Sequence, residues 1–280
     1  VDPGIHSYTP DRFCAYMSSS HAHNTLHVDG LEQNRRERLT PGQWTRDVAE
    51  ENTWHAGRII DYARAKYDAG YGPIHATAAQ SVVHHRAVLF LRGDYFLVFD
   101  HLKGAGAHAV ESMLHFAPMP VVPDPEKRLF RTFNQEVANL EAMVLPGPPT
   151  PELSVVCGRL DPPQGWVADR WGLPAPAPCA LMRWTELPLP ATFGMLLIPF
   201  KKGRSAELEL ESLHSDAVSW AGRIRRPNGA SDLVALSFAE APNLELPELA
   251  TDAEAAVLRQ DPDGQTIGAE RVGGSYLRRP

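Results

Sequence analysis

The sequence predicts an all-β protein: a large antiparallel two-sheet β-sandwich with few short helices. Short segments of alternating or β-branched apolar character recur along the chain, whereas helical periodicity is weak throughout. The chain contains 21 Gly and 25 Pro in 280 residues, more than the ~12% combined share of average proteins. This excess favours many short elements joined by tight turns. No repeat of fixed period is visible, which argues against a propeller or a solenoid.

The strands of the first half are predicted from period-2 alternation and apolar runs. In Ala22–Val28, alternation would place Leu26 and Val28 toward a core and the histidines on the open face. Ile59–Tyr67 also alternates. A three-strand antiparallel meander within one sheet is predicted next, in which the strands are Val82–Leu91, Tyr95–Leu102 and His108–Phe116, separated by two glycine-containing turns.

The remaining elements follow from the same patterns. Further strands are predicted at Leu140–Leu145, Ala206–Glu211, Leu233–Phe238 and Ala255–Gln260. The proline-rich stretches Pro146–Pro151 and Pro174–Pro178 are predicted loops, and Pro41–Trp54 is the best candidate for a short helix. Residues 1–200 are predicted to form the main sandwich, and the strands of residues 201–280 would complete it or form a small second β-sheet unit.

Composition excludes several classes of protein. The net charge is −7 and the basic residues are dispersed, whereas nucleic-acid binding calls for a dense basic face; no nucleic-acid partner is expected. The longest apolar run, near Phe193–Ile198, is far shorter than the ~20 residues of a membrane-spanning helix, and no secretory signal opens the chain. The three cysteines, Cys14, Cys157 and Cys179, are too widely spaced to indicate a disulfide framework or a metal pair.

Histidine is distributed unevenly: 11 of the 12 histidines lie in the first 115 residues. The segment His21-Ala22-His23 could direct two imidazoles to one side of a strand, ~6.6 Å apart along the chain, and Asp2 could add a carboxylate. Two imidazoles and a carboxylate suit zinc, so Asp2 and His23 are candidate metal ligands, with His21 or His6 as additional ones. The alternative is that these are ordinary strand histidines, since such pairs also arise by chance.

Three further segments are candidates for binding an acidic sugar. Arg86, in His84-His85-Arg86, could pair with a substrate carboxylate or sulfate, or could belong to a polar rim beside an apolar strand. Tyr71 could be a stacking platform or a loop tyrosine that packs locally. Trp166 and Trp171 could bind sugar, although packing is the alternative. No nucleophile elbow, P-loop or dinucleotide fingerprint is present.

These segments resemble, in order, the C-terminal part of the heparinase II/III-like polysaccharide lyases. Val1–Ile5 with Tyr8 is similar to the family's aspartate-glycine segment, and His21–Leu26 is similar to its histidine-asparagine-threonine motif. The resemblance continues through Val83–Arg86, Tyr95–Asp100, His115–Pro118, Gly165–Val167 and Phe193–Pro199.

The resemblance implies an α/α toroid followed by a large antiparallel β-sandwich, with the active site between them. It also implies cleavage of acidic polysaccharide by β-elimination: a base removes the proton beside a uronate carboxylate, an acid assists the leaving oxygen, and neutralising the carboxylate stabilises the carbanion. Asp2 and His23 match two metal ligands of some members. The third ligand and the catalytic residues would lie upstream of Val1, in or near the toroid.

We therefore expect the β-sandwich portion of a lyase acting on uronate-containing polysaccharide, such as a glycosaminoglycan or alginate. The chain alone would be inactive, a weak or incomplete zinc site would involve Asp2 and His23, and substrate contacts would involve His21, Asn24, Tyr71 and Arg86. The toroid would pack on the histidine-rich face, and the resemblance implies a periplasmic or secreted location. The alternative is a non-catalytic carbohydrate-binding or scaffolding β-sandwich.

Overall fold

The computed structural model describes residues 1–33, 52–72, 81–147, 149–170, 172–204 and 206–279. Within these ranges the chain has one α-helix, α1 (Arg12–Met17), and a 3₁₀ turn at Ser20–Ala22. The first twelve strands are β1 Leu26–Val28, β2 Asn52–Ala56, β3 Ile60–Tyr67, β4 Val83–Leu91, β5 Tyr95–Lys103, β6 Ala107–His115, β7 Val121–Asp124, β8 Leu129–Thr132, β9 Asn139–Val144, β10 Glu152–Val156, β11 Arg159–Leu160 and β12 Pro163–Gln164. The others are β13 Trp166–Arg170, β14 Leu173–Pro176, β15 Cys179–Pro188, β16 Ala191–Phe200, β17 Glu209–Ser215, β18 Ser219–Arg225, β19 Ser231–Ser237, β20 Leu244–Glu245, β21 Ala250–Thr251, β22 Ala255–Gln260, β23 Thr266–Val272 and β24 Leu277–Arg278.

Three antiparallel sheets form the body of the protein. A four-stranded sheet has the order β1-β6-β15-β10, an eight-stranded sheet has the order β2-β3-β4-β5-β16-β9-β8-β7, and a five-stranded sheet has the order β17-β18-β19-β22-β23. The small sheets β11-β12, β13-β14 and β20-β21-β24 complete the described strands. The prediction of an antiparallel all-β sandwich is confirmed, but three large sheets form its layers where the sequence predicts two.

The eight-stranded sheet is the central layer because apolar side chains project from both of its faces. On β5, Phe99 belongs to a core that includes Trp220 and Val257 of the five-stranded sheet. Leu102 points to the opposite face, in keeping with the alternation of strand side chains, and belongs to a core that includes Val110 and Met182 of the four-stranded sheet. Burial of these two cores fixes the order of the three layers.

Several predicted strands lie close to their observed bounds. Ile59–Tyr67 corresponds to β3, and Val82–Leu91 and Tyr95–Leu102 correspond to the hairpin β4-β5, in which Leu91 pairs with Tyr95. Ala255–Gln260 is observed as predicted, whereas the strand predicted at Ala206–Glu211 begins only at Glu209.

The predicted meander is wrong in its third strand. β6 follows β5 in the chain but lies in the four-stranded sheet, between β1 and β15. The edge of β5 that β6 would have occupied pairs instead with β16, where Phe99 lies opposite Gly194. An added Cβ at Gly194 would lie 2.4 Å from the Val98 carbonyl oxygen, so a glycine permits this close strand approach.

Two other predictions need correction. The sequence predicts a loop at Pro174–Pro178, but Pro174 and Pro176 lie in β14 of a two-stranded ribbon, where proline is tolerated because an edge strand needs fewer N–H donors. The predicted helix Pro41–Trp54 falls outside the described residues up to residue 51, and Asn52–Trp54 lies in strand β2. The division into residues 1–200 and 201–280 stays a prediction; residue 200 is the last residue of β16.

Candidate functional site

The candidate site is an irregular segment, His23-Asn24-Thr25, between the 3₁₀ turn and β1. The alternating strand predicted for Ala22–Val28 is therefore wrong before Leu26. Hydrogen bonds from side chains to the main chain hold the segment in place of a strand ladder: Asn24 Oδ1 accepts from the His115 N–H at 2.6 Å, and Arg86 Nη1 donates to the Asn24 carbonyl. The segment is thereby fixed to both the four-stranded and the central sheet.

Asp2 and His23 lie together on the exposed side of this segment. The distance from Asp2 Oδ2 to His23 Nδ1 is 3.1 Å, and the side chains are 75% and 42% exposed. Two ligands at ~2.05 Å from one tetrahedral zinc are about 3.3 Å apart, so the separation suits a shared ion as well as a direct hydrogen bond. The predicted proximity is observed, while the metal role stays a prediction.

The described residues do not supply a complete metal site. No group of three His, Cys, Asp or Glu side chains positioned for a metal occurs in the described part of the chain. Two additional candidates are engaged elsewhere, since His6 pairs with Asp11 at 2.8 Å and the His21 ring packs edge-on against His27 at 4.0 Å. The pair Asp2 and His23 thus fits part of a zinc site, which ordinarily has three or four protein ligands.

Arg86 connects the site to a buried carboxylate. Its Nε and Nη2 donate to Asp100 Oδ1 and Oδ2 at 2.7 and 2.9 Å, and the Asp100 side chain is 1% exposed. His84 Nε2 lies 2.6 Å from the same carboxylate. Burial by itself would raise the pKa of Asp100, but Arg86 and His84 outweigh it and hold that pKa well below its usual value.

The hydrogen bonds that the Arg86 guanidinium already makes bear on its predicted role in binding substrate. The guanidinium already makes a bidentate pair with Asp100 and a bond to the Asn24 carbonyl, so most of its donors are used within the protein. Its contact with substrate stays a prediction. What the geometry shows is that Arg86 holds the Asn24 segment against the central sheet.

A group of buried histidines lies beneath the segment. His27 and His115 are 2% and 6% exposed; burial lowers the pKa of His27 to about 3 and that of His115 to about 4. Alternation predicts His27 on the open face, and this is wrong because all three residues of β1 are buried. The His21 main-chain carbonyl lies 3.0 Å from both His115 Nε2 and Gln164 Nε2, while burial also lowers the pKa of the His21 ring.

The predicted sugar platform Tyr71 is fully buried at 0% exposure. Its ring packs edge-on against Tyr67 at a centroid distance of 5.8 Å, and it bridges to Gln33 through the main chain. A buried ring presents no face to a sugar, so the alternative of local packing describes it. Trp166 likewise packs against Phe13 at 5.0 Å, and Trp171 lies outside the described residues.

Sequence reasoning missed Asp100 and Gln164 as parts of the site. Asp100 falls in the predicted strand Tyr95–Leu102, where alternation places it on the same face as Leu102, and the hairpin register pairs it with Arg86. That pairing was a usable signal. No sequence signal indicates Gln164, because it reaches His21 and His115 only through the folding of distant segments onto one another.

A known family matches the part of the chain that contains most of this site. Residues 1–155, more than half of the chain, match the model described as heparinase II/III-like, C-terminal. The chain belongs to this family. Gln164, Trp166 and Trp171 lie outside the matched residues, and the other site residues named above lie within them.

Solved structures with the same fold include heparinases and a heparan sulfate lyase. Heparan sulfate lyase HepC from Pedobacter heparinus aligns with a TM-score of 0.62 at 17% identity, over 85% of this chain and 34% of that one. A heparinase III crystal structure aligns with a TM-score of 0.59 at 14% identity, over 85% and 33%. The chain thus spans about a third of the length of these proteins. No curated protein matches it.

No helix in the described ranges is long and apolar enough to cross a membrane.

Proposed function

We propose that this chain is the β-sandwich portion of a polysaccharide lyase that cleaves uronate-containing polysaccharide by β-elimination. The observation that carries the proposal is the exposed Asp2–His23 pair, held on a braced segment inside the region that matches the heparinase II/III-like family. The solved structures of similar fold are named as a heparan sulfate lyase and a heparinase III. An acidic polysaccharide is therefore the proposed substrate.

The chain would supply one wall of the active site. In β-elimination a base removes the proton beside the uronate carboxylate while an acid protonates the leaving oxygen, and a cation that neutralises the carboxylate lowers the barrier. The base and acid would come from a helical toroid in the rest of the polypeptide, packed on the histidine-rich face. On this proposal the 280-residue chain alone is inactive.

Asp2 and His23 would hold a zinc ion together with a ligand from outside this chain. When bound, such an ion would supply positive charge next to the substrate carboxylate. The residues of this chain hold the pair in place: Arg86 donates to the main-chain carbonyl of Asn24, which adjoins His23, and the His115 N–H donates to the Asn24 side chain. His21 and Asn24 would border the substrate on the same side, and the protein would act in the periplasm or after secretion.

The test compares the polypeptide encoded by the complete gene with the 280-residue chain. Each is incubated with heparan sulfate, alginate and other uronate polymers, and the ultraviolet absorbance of the unsaturated product is followed. We expect the complete polypeptide to form product and the 280-residue chain to form none. The His23→Ala variant of the complete polypeptide should be at least about tenfold slower. His214→Ala is the matched control, because His214 pairs with Asp216 at 3.0 Å on β17, outside the proposed site.

Two outcomes would contradict the proposal. Product from the 280-residue chain alone, abolished by His23→Ala, would refute the need for the toroid. Retention of the polymers by both proteins without any product would instead favour a non-catalytic carbohydrate-binding sandwich.

A further inference from the structure

A small polar pocket lies where the end of the central sheet meets the five-stranded sheet. It has a volume of about 130 Å³, and the side chains that give it its charge are Arg64, Lys66, His85 and Glu254. The register places Lys66 opposite His85 on β3 and β4, and His85 opposite His101 on β5. Alternation therefore points Arg64, Lys66 and His85 to the same face of the sheet.

Several contacts hold Arg64, which lines the pocket, in place. The Phe238 ring stacks on the His101 ring at 5.0 Å and 12°, and the Arg64 guanidinium lies 4.9 Å from the Phe238 ring centre. Arg64 Nη1 also lies 3.1 Å from Glu254 Oε1, which accepts from the Tyr62 hydroxyl at 2.5 Å. These contacts fix the guanidinium before any ligand arrives, so binding would not have to order that side chain.

His85 is the unusual member of the group. Its ring lies near Phe238 and His101, yet no residue in the described part of the chain hydrogen bonds to it. Burial and the positive charges of Arg64, Lys66 and Lys103 lower its pKa to about 4. The ring is therefore neutral at neutral pH, and its N–H can donate a hydrogen bond.

We propose that this pocket binds a single oxyanion group, such as a sulfate, between Arg64, Lys66 and the His85 ring. Arginine and lysine form charge-assisted hydrogen bonds with such groups, and the imidazole adds a third donor. Glu254 faces the pocket but is engaged by Arg64 and Tyr62, and Asp68 lies 3.8 Å from Lys66. The charged residues that act on the His85 ring, Arg64 and Lys66 among them, are cationic. The site is separate from the Asp2–His23 pair and does not depend on the lyase assignment.

The experiment titrates the 280-residue chain with sodium sulfate, with sodium chloride at matched ionic strength as the reference, and follows the His85 ring signals by NMR. His85→Gln identifies these signals. We expect saturable shifts and a rise of about one unit in the His85 pKa, because a bound anion offsets the neighbouring cations. Lys66→Gln should weaken sulfate binding about tenfold.

The matched control is Lys202→Gln, which removes the same charge from a lysine that also lies 3.8 Å from a carboxylate, Glu136. Sulfate shifts that fail to saturate, or equal weakening by the two lysine variants, would show general screening and overturn the site. Urea denaturation of Lys66→Gln checks that it is folded. The proposal is supported if the Lys66→Gln protein is folded and binds sulfate more weakly, while the Lys202→Gln protein binds sulfate as the unchanged protein does.

A second arm distinguishes the source of the anion. Sulfated and unsulfated uronate oligosaccharides of equal length are titrated in the same way. If only the sulfated oligosaccharide shifts the His85 signals, the pocket binds a sulfated glycan. If inorganic sulfate shifts them and the oligosaccharide does not, it binds a free anion.

Discussion

Replacement of Asp100 by asparagine should destabilise the protein more than any other isosteric change near the site. Asp100 is buried and accepts three hydrogen bonds, two from Arg86 and one from His84. The asparagine side chain would present one acceptor and one amide donor, so the Arg86 guanidinium would lose its counter-charge while still largely covered, at 26% exposure. Breaking a buried ion pair costs about 3–5 kcal/mol, and the partial exposure of Arg86 places the expected loss near the lower limit, about 3 kcal/mol.

The assay is thermal and urea unfolding of the 280-residue chain. At about 2–4 °C per kcal/mol for a protein of this size class, Asp100→Asn should lower the Tm by about 6–12 °C. The matched control is Asp124→Asn on edge strand β7, where the carboxylate lies 3.9 Å from an exposed lysine, Lys127; a surface pair of this kind contributes about 0–1 kcal/mol.

The same variant tests whether Arg86 braces the site. NMR signals of Asn24 and Thr25 should shift or broaden in Asp100→Asn, because Arg86 donates to the Asn24 carbonyl. A Tm within ~2 °C of the Asp124→Asn protein, with unchanged Asn24 signals, would refute the reasoning that Asp100 positions this segment through Arg86.

Three other predictions concern the same region. Burial holds the folded-state pKa of His27 at about 3 and that of His115 at about 4, below the value of 6.5 in the unfolded chain. The free energy of unfolding should therefore fall as the pH drops from 6.5 toward 4, by up to about 1.4 kcal/mol per pH unit for each histidine. A stability that is unchanged between pH 6.5 and 4.5 in urea titrations would contradict this. Asn24→Ala should cost about 1–2 kcal/mol by leaving the His115 N–H without its acceptor, and Asn24→Asp should recover most of it; equal unfolding midpoints for the two variants would count against the hydrogen bond. Calorimetric zinc titration should show weak binding that is lost in His23→Ala, whereas equal heats from both proteins would remove His23 from the metal site.

The sequence by itself determined the class of fold and the position of most strands. Alternation and apolar runs are local signals with a period of two residues, so they placed β3, the β4-β5 hairpin and β22 close to their observed bounds. The family resemblance also rests on local sequence, because each of its motifs, such as the one around His23, is a short continuous run of residues. The proximity of Asp2 to His23 also followed from sequence reasoning.

Only the tertiary structure decided which strands distant in the chain pair and which histidines are buried. β6 leaves the sheet of β5 because β16, far along the chain, occupies that edge through the close approach at Gly194. His27 is buried because β1 lies against β6 and beneath the His21 turn, an environment that no alternation pattern encodes. Burial and partner choice depend on non-local packing, in which the free energy of covering apolar surface outweighs the preference of any single segment.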